Sequence, residues 1–411
     1  MTISGLDRPL TRLGLIALLF GATLDPSISV AAPPDALQGE SALRPPRGES
    51  TVRIATFNTS LYRQSSGELR RELEAGSEQA RAVASILRCI DADVMLLNEF
   101  DYDGGKAAEI FLEKYLNLGL PEGERWQHHF TAAVNTGVDS GLDLDGDGKT
   151  QTPNDAWGFG THPGQYGMLV ISRFAIDASA VRTFQKFRWA QLPSGLRPMN
   201  LDGTSYYPDA IWQQLRLSSK SHWDVPIQAG LAGSVHLLVS HPTPPVFDGP
   251  EDRNGNRNHD EIRFWLDYVS GDASYIVDDA GRAGGLPQGE PFVIAGDLNA
   301  DPYDGDGRHE IIQRLLASPM TMAEPTPASE GAIEAAREQG RANETHRGEP
   351  EHDTGDFSDR APGNLRADYV LPGGRLKVLG SGVLWPAAAD MPAEWSDASD
   401  HHAVWVDVAR P

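Results

Sequence analysis

The chain has a single thiol, Cys89, among its 411 residues. That excludes an intrachain disulfide, a structural zinc cluster and a paired redox motif. Cys89 lies in Ala84-Ser85-Ile86-Leu87-Arg88-Cys89-Ile90, an apolar helical pattern that predicts a buried small hydrophobe. Positive charge is also scarce. Lys and Arg total 35 against 58 Asp and Glu, a formal net charge of −23. The average field of such a surface repels a phosphate polymer, which excludes a bulk basic footprint for nucleic acid but not a small local cationic pocket. No apolar run after the N-terminus is long enough to cross a bilayer.

The N-terminus itself reads as an address. Arg8 and Arg12 precede an apolar run from Leu13 to Leu24, and Ser29-Val30-Ala31 offers the small residues a signal peptidase reads. A signal peptide over residues 1–31 is expected, with no Cys at the cut to carry a lipid. Export of a disulfide-free chain points to a bacterial periplasmic or extracellular protein. Pro33, Pro34, Pro45 and Pro46 mark residues 32–50 as a flexible leader, and a catalytic domain is expected over residues 51–411.

Hydrophobic periodicity predicts strands at Val52 to Phe57, Asp93 to Leu97, Gly167 to Ser172, Gln214 to Leu217, Val235 to Ser240, Phe292 to Ala295, Asp368 to Leu371 and Ala403 to Val408. Helices are expected at Glu78 to Ile90, Ala107 to Leu118, His259 to Val269 and Glu310 to Ala317. Strands and helices mix along the whole chain with no linker that splits it, so one α/β domain is expected. Two stretches rich in Asp, Gly, Pro and Asn, Thr136 to Gln165 and Pro319 to Leu365, read as long loops.

Polar clusters follow the apolar runs, where a sheet edge presents side chains to a shared cleft. Asn58 follows Phe57, Asn98-Glu99 follows Leu97, His241 follows Ser240, and Gly296-Asp297-Leu298-Asn299 follows Ala295. Ala367-Asp368-Tyr369 and Ser399-Asp400-His401 complete the set near the C-terminus. Any one of these is common turn chemistry. In this order, spanning Val52 to Val408, they resemble the endonuclease/exonuclease/phosphatase superfamily, with Gly-Asp-Leu-Asn and Ser-Asp-His as the most specific pieces.

The resemblance implies a four-layer α-β-β-α sandwich, two mixed sheets face to face with helices outside and the site at one end. It implies a metal-dependent phosphoric ester hydrolase using an in-line water. Glu99 suits a hard divalent cation, with Asn58 and Asp400 as neighbours; Mg²⁺ is the default, with Mn²⁺ or Ca²⁺ as alternatives. Asp297 would stand beside the attacking water and Asn299 beside the phosphate. His401 would contact the phosphate or exchange a proton, with Asp368 fixing its tautomer. His241 would stabilise the transition state or protonate the leaving group. One departure stands out. In the deoxyribonuclease-like branch a carboxylate ahead of a Gln-Tyr pair supports the first His, and in Gly164-Gln165-Tyr166 that position is glycine.

Asp143-Leu144-Asp145-Gly146-Asp147-Gly148 reproduces the first half of a calcium loop, but position twelve is Asn154, so a full EF-hand is excluded. A calcium-binding loop and a solvated Asp-Gly turn cluster both remain open. Asp252 to Glu261 reads as a second polar loop ahead of a helix. Arg63, Arg70 and Arg71 offer either a local phosphate contact or a solvated face. The expected substrate is a phosphoester, small or of modest size, taken by a monomer without stable membrane insertion. The alternatives are an extracellular nuclease on the same scaffold and a calcium-dependent binding module with a dead site.

Overall fold

The computed structural model describes residues 43–48, 50–271 and 273–409. The expected signal peptide and most of the expected leader lie outside the described residues. Residues 43–48 lie against the fold. Leu43 packs on the core, Arg47 bonds Asp93, and the carbonyls of Pro45 and Pro46 accept from the buried Arg53. Arg53 also makes a two-pronged pair with Asp407 at 2.8 and 2.9 Å, so this buried charge is fully met.

The strands in chain order are β1 (Val52–Asn58), β2 (Val94–Asn98), β3 (His128–Phe130), β4 (Met168–Ser172), β5 (Arg182–Thr183) and β6 (His222–Gln228). They continue with β7 (Ser234–Ser240), β8 (Phe292–Asp297), β9 (Asp368–Gly373), β10 (Lys377–Leu384) and β11 (Ala403–Ala409). They form a six-stranded sheet, β10-β11-β1-β2-β4-β3, and a five-stranded sheet, β5-β6-β7-β8-β9. Both are mixed: β1 runs parallel to β2 and β7 parallel to β8, while the other pairs are antiparallel.

Strand alternation builds the layers. Val52, Ile54, Val94 and Leu96 of the first sheet meet Val235, Leu237, Val239, Val293 and Ala295 of the second in a central core. The opposite faces carry Ala55, Phe57, Met95 and Leu97, packed under helix Glu78–Ile90, and Leu238, Ile294 and Leu371, packed under helix Arg253–Ser270. Each fully buried Val, Leu, Ile or Phe contributes about 1.5–3 kcal/mol relative to exposure. The result is the expected four-layer sandwich. Cys89 is fully buried on the helical side of the first sheet.

Helix Glu78–Ile90 starts at Ser77, whose side chain accepts from the Ala80 N–H. Three sequence expectations need correction. Gln214 to Leu217 is not a strand; only an isolated bridge joins Arg188 and Arg216 there. The stretch from Pro319 to Leu365 contains helix Glu330–Gln339, started by Ser329. The polar segment after Asp252 is the beginning of helix Arg253–Ser270, with Asn256, Asn258, His259, Asp260 and Glu261 buried. Its side chains replace water with protein donors and acceptors: Asp260 accepts from Trp189 Nε1 and the Leu196 N–H, and Asn258 donates to the carbonyls of Thr243 and Leu298.

Candidate active site

The two parallel pairs point their C-terminal ends the same way, and that end gathers the polar clusters. Asn58 and Asn98 are register partners at the ends of β1 and β2, and Asp297 of β8 is paired with Asp368 of β9. His241 follows β7, and Ser399, Asp400 and His401 lead into β11. Two amides tie the sheets together here: Asn58 Nδ2 donates to Asp297 Oδ2 at 3.0 Å, and Asn98 Oδ1 accepts from the Asp297 N–H at 3.1 Å. Glu99 and Asn299 adopt left-handed backbone, φ 56° and 49°, a local strain that aims both side chains off their strand ends. Gly296 precedes Asp297 because a Cβ there would stand 2.1 Å from the Ser240 carbonyl oxygen.

Asp297 is the hub. Its Oδ2 faces His241 Nε2 at 3.4 Å and His401 Nε2 at 3.7 Å, and its Oδ1 accepts from the Asn299 N–H at 2.9 Å. Burial alone would raise its carboxyl, but the His401 charge and the bonds from His241 and Asn58 hold it well below the usual carboxylate range. Asp297 is therefore ionised.

The two imidazoles differ. His401 Nδ1 donates to Asp368 Oδ2 at 2.8 Å, and the same oxygen accepts from Thr354 Oγ1 at 2.8 Å. Against the lowering effect of burial, Asp368 and then Asp297 push His401 up to about 10, so it carries a proton on both nitrogens at neutral pH. His241 is equally buried, yet burial and the Lys220 charge push it down to about 4. It is neutral. Facing an ionised Asp297, its proton sits on Nε2, and its buried Nδ1 has no hydrogen-bond partner among the described residues. Gly164, the departure noted in the sequence, has φ 92°, and a Cβ there would stand 2.1 Å from the Tyr102 carbonyl oxygen. Tyr166 packs its ring 4.5 Å from that of Tyr62.

Burial pushes the Glu99 carboxyl up to about 7, against the pull of the His401 and Lys220 charges. The carboxylate remains one-fifth exposed, 4.0 Å from His241 Nε2. A carboxylate removed from water beside the Asn58 amide presents hard oxygen donors, a donor set that fits a divalent cation. Asp400 is exposed at the rim, with Ser60 Oγ donating to it at 3.4 Å. The side chains that converge within 4.8 Å are instead Asp297, Asp368 and His401. There a cation would have to displace the proton that His401 holds on Nε2 before the ring could ligate it.

Two expected features lie outside this cluster. Arg63, read as either a phosphate contact or a solvated face, is paired with Glu72 and donates to Gln79 Oε1 at 2.9 Å. Asp143, Asp145 and Asp147 bring their carboxylates within 4.8 Å of one another in an exposed loop, where Asp143 accepts from the Gly146 and Gly148 N–H groups and Asp147 pairs with Lys149. Sequence reasoning missed Thr354, which sits in an expected loop and orients Asp368, and Lys220, a buried lysine beside the site whose ammonium burial pushes down against the pull of Glu261, Glu99 and Asp297. Ser218-Ser219-Lys220-Ser221 carries the look of a solvated turn, and no motif marks it.

Residues 55–401 match the Endonuclease/Exonuclease/phosphatase family. Among solved structures, the chain is similar to an endonuclease/exonuclease/phosphatase from Beutenbergia cavernae DSM 12333, at 17% identity and TM-score 0.49, over 88% of this chain and 72% of that one. It is also similar to sphingomyelinase C from Streptomyces griseocarneus, at 17% identity and TM-score 0.43, over 87% and 99%. The human nocturnin catalytic domain with bound sulfate is a third, at 13% identity and TM-score 0.44, over 88% and 94%. No curated protein matches the chain.

Proposed function

The chain belongs to the Endonuclease/Exonuclease/phosphatase family, and on that premise we propose that it is an exported, divalent-metal-dependent phosphoesterase acting on phosphodiesters or phosphomonoesters of small or modest size. The proposal rests chiefly on Asp297, one ionised carboxylate facing two imidazoles, one cationic and one neutral. Asp297 takes a proton from the attacking water. His401, oriented through Nδ1 by Asp368, presents its Nε2 proton to a phosphate oxygen. Asn299, fixed by its backbone bond to Asp297, orients the phosphate. Glu99 with Asn58 and Asp400 would hold the cation, Mg²⁺ first and Mn²⁺ or Ca²⁺ otherwise, which when bound neutralises phosphate charge.

Export rests on the N-terminal sequence, and small substrates fit the net charge of −23. The nuclease alternative loses a basic contact, because Glu72 holds Arg63. The test is a panel of monoester, diester, DNA, RNA, sphingomyelin and inositol phosphates, each with EDTA or with Mg²⁺, Mn²⁺ or Ca²⁺. Metal-dependent cleavage of small esters that Asp297→Ala abolishes is the expected result. No cleavage of any ester under any metal overturns the proposal, and plasmid nicking faster than small diesters replaces it with the nuclease.

A further inference from the structure

We propose that Lys220 is a substrate-binding residue of this site, its ammonium meeting a non-bridging oxygen of the phosphate. This rests on the phosphoesterase reading and adds to it a cation outside the predicted set. Lys220 lies two residues before β6, whose first residue, His222, is the register partner of Ser240 at the end of β7. Continuing that antiparallel register beyond the strand ends sets Ser221 opposite His241 and Lys220 opposite Pro242, one residue along from His241.

The side chain is buried, with the residue only 6% exposed. Among the described residues no carboxylate lies within 4.0 Å of its side-chain nitrogen, and burial pushes the ammonium below its usual value, against the pull of Glu261, Glu99 and Asp297, so a bound anion would favour its charged form. A buried ammonium without a close partner is costly to the fold, and a site that binds an anion is where such a cost is retained.

Glu261 explains how Lys220 is kept there. Its Oε1 accepts from the Ser219 N–H at 2.7 Å and its Oε2 from the Thr243 N–H at 2.6 Å. One buried carboxylate thus clamps the segment that carries Lys220 to the segment that follows His241. With both Glu261 oxygens engaged by backbone, Lys220 is not needed to satisfy them. Ser219 Oγ, Thr243 Oγ1 and His241 Nδ1 are buried nearby without partners among the described residues, so the lining around Lys220 is polar with hydrogen-bonding capacity to spare.

The alternative role is a structural counter-ion for Glu261. Inorganic phosphate binding to the full mature chain, followed by calorimetry with Mg²⁺ present, separates the two. As a substrate-binding residue, Lys220→Met or Lys220→Gln weakens phosphate binding by about 10- to 100-fold. Mg²⁺ affinity is unchanged or tighter, because a cation near the site has been removed. Lys220→Arg keeps the charge and retains phosphate binding within about tenfold of wild type, the difference reflecting the shape of the guanidinium. A counter-ion gives the reverse: phosphate affinity within about twofold in all three variants, a lowered Tm, and recovery of Tm in Lys220→Met/Glu261→Gln. That result overturns the proposal. Should wild type cleave no ester, the phosphoesterase reading fails by itself, and the phosphate titration still decides whether Lys220 binds the anion.

Discussion

The two sides of the Asp297 carboxylate make an instructive pair. On one side His401 enters on the first sheet and is backed by Asp368 from the second, with Thr354 closing the chain of bonds. On the other, His241 has a buried Nδ1 without a partner among the described residues, and the charge of Lys220 reaches it. The rings have the same chemistry and nearly the same distance to Asp297, yet one is charged and the other neutral. The charge of a buried imidazole is thus set by what stands behind it.

Several changes would break or sharpen that contrast. Asp297→Ala removes the group both sides share, and kcat should fall by about a thousandfold or more, measured on the best ester of the panel. His401→Ala should cost about a hundredfold and His241→Ala only about tenfold, since an ionic hydrogen bond to developing charge outweighs a neutral one. Equal losses in the two variants would refute the asymmetry.

Stability should show opposite pH trends for the two rings. His401 titrates at about 10 in the fold against about 6.5 unfolded, so its contribution is complete below pH 6.5 and fades as pH rises through 10. His401→Gln should therefore lower Tm most at pH 6 and least above pH 10. His241 titrates at about 4 in the fold, so wild type loses stability as pH falls from 6.5 towards 4. His241→Gln should escape that loss, by about 1–3 kcal/mol at pH 4 in a denaturant titration.

Gly164→Ala should destabilise by about 1–3 kcal/mol, because a side chain is forced into left-handed backbone against the Tyr102 carbonyl. The smallest effect belongs to Arg63→Met: KM within about twofold, with stability reduced by about 1 kcal/mol or less, as for a partly exposed ion pair.

The sequence made the sandwich legible wherever strands were apolar on both faces. β1, β2, β7, β8 and β11 are buried in two cores at once; β2 and β8 read as near-continuous hydrophobic runs, and β1, β7 and β11 as apolar runs broken by single polar residues. β6 escaped notice because only Trp223, Val225 and Ile227 face the central core, while His222 and Asp224 on its other face meet Glu261 and Tyr268. β10 was hidden by Gly380 and Gly382, which lie against the Trp405 ring. Asp297, Asp368 and the two histidines were legible because each abuts a strand whose direction is fixed. Lys220 and the buried start of helix Arg253–Ser270 were not, because solvated and buried polar segments have the same composition, and only tertiary hydrogen bonds tell them apart.

The different charge states of the two imidazoles can be read directly from nitrogen and carbon chemical shifts of the metal-free chain carrying labelled histidine, titrated from pH 5 to 9, with His241→Gln and His401→Gln for assignment. Throughout that range His401 should remain doubly protonated and His241 singly protonated at Nε2. Two rings titrating together near pH 6.5 would contradict the account.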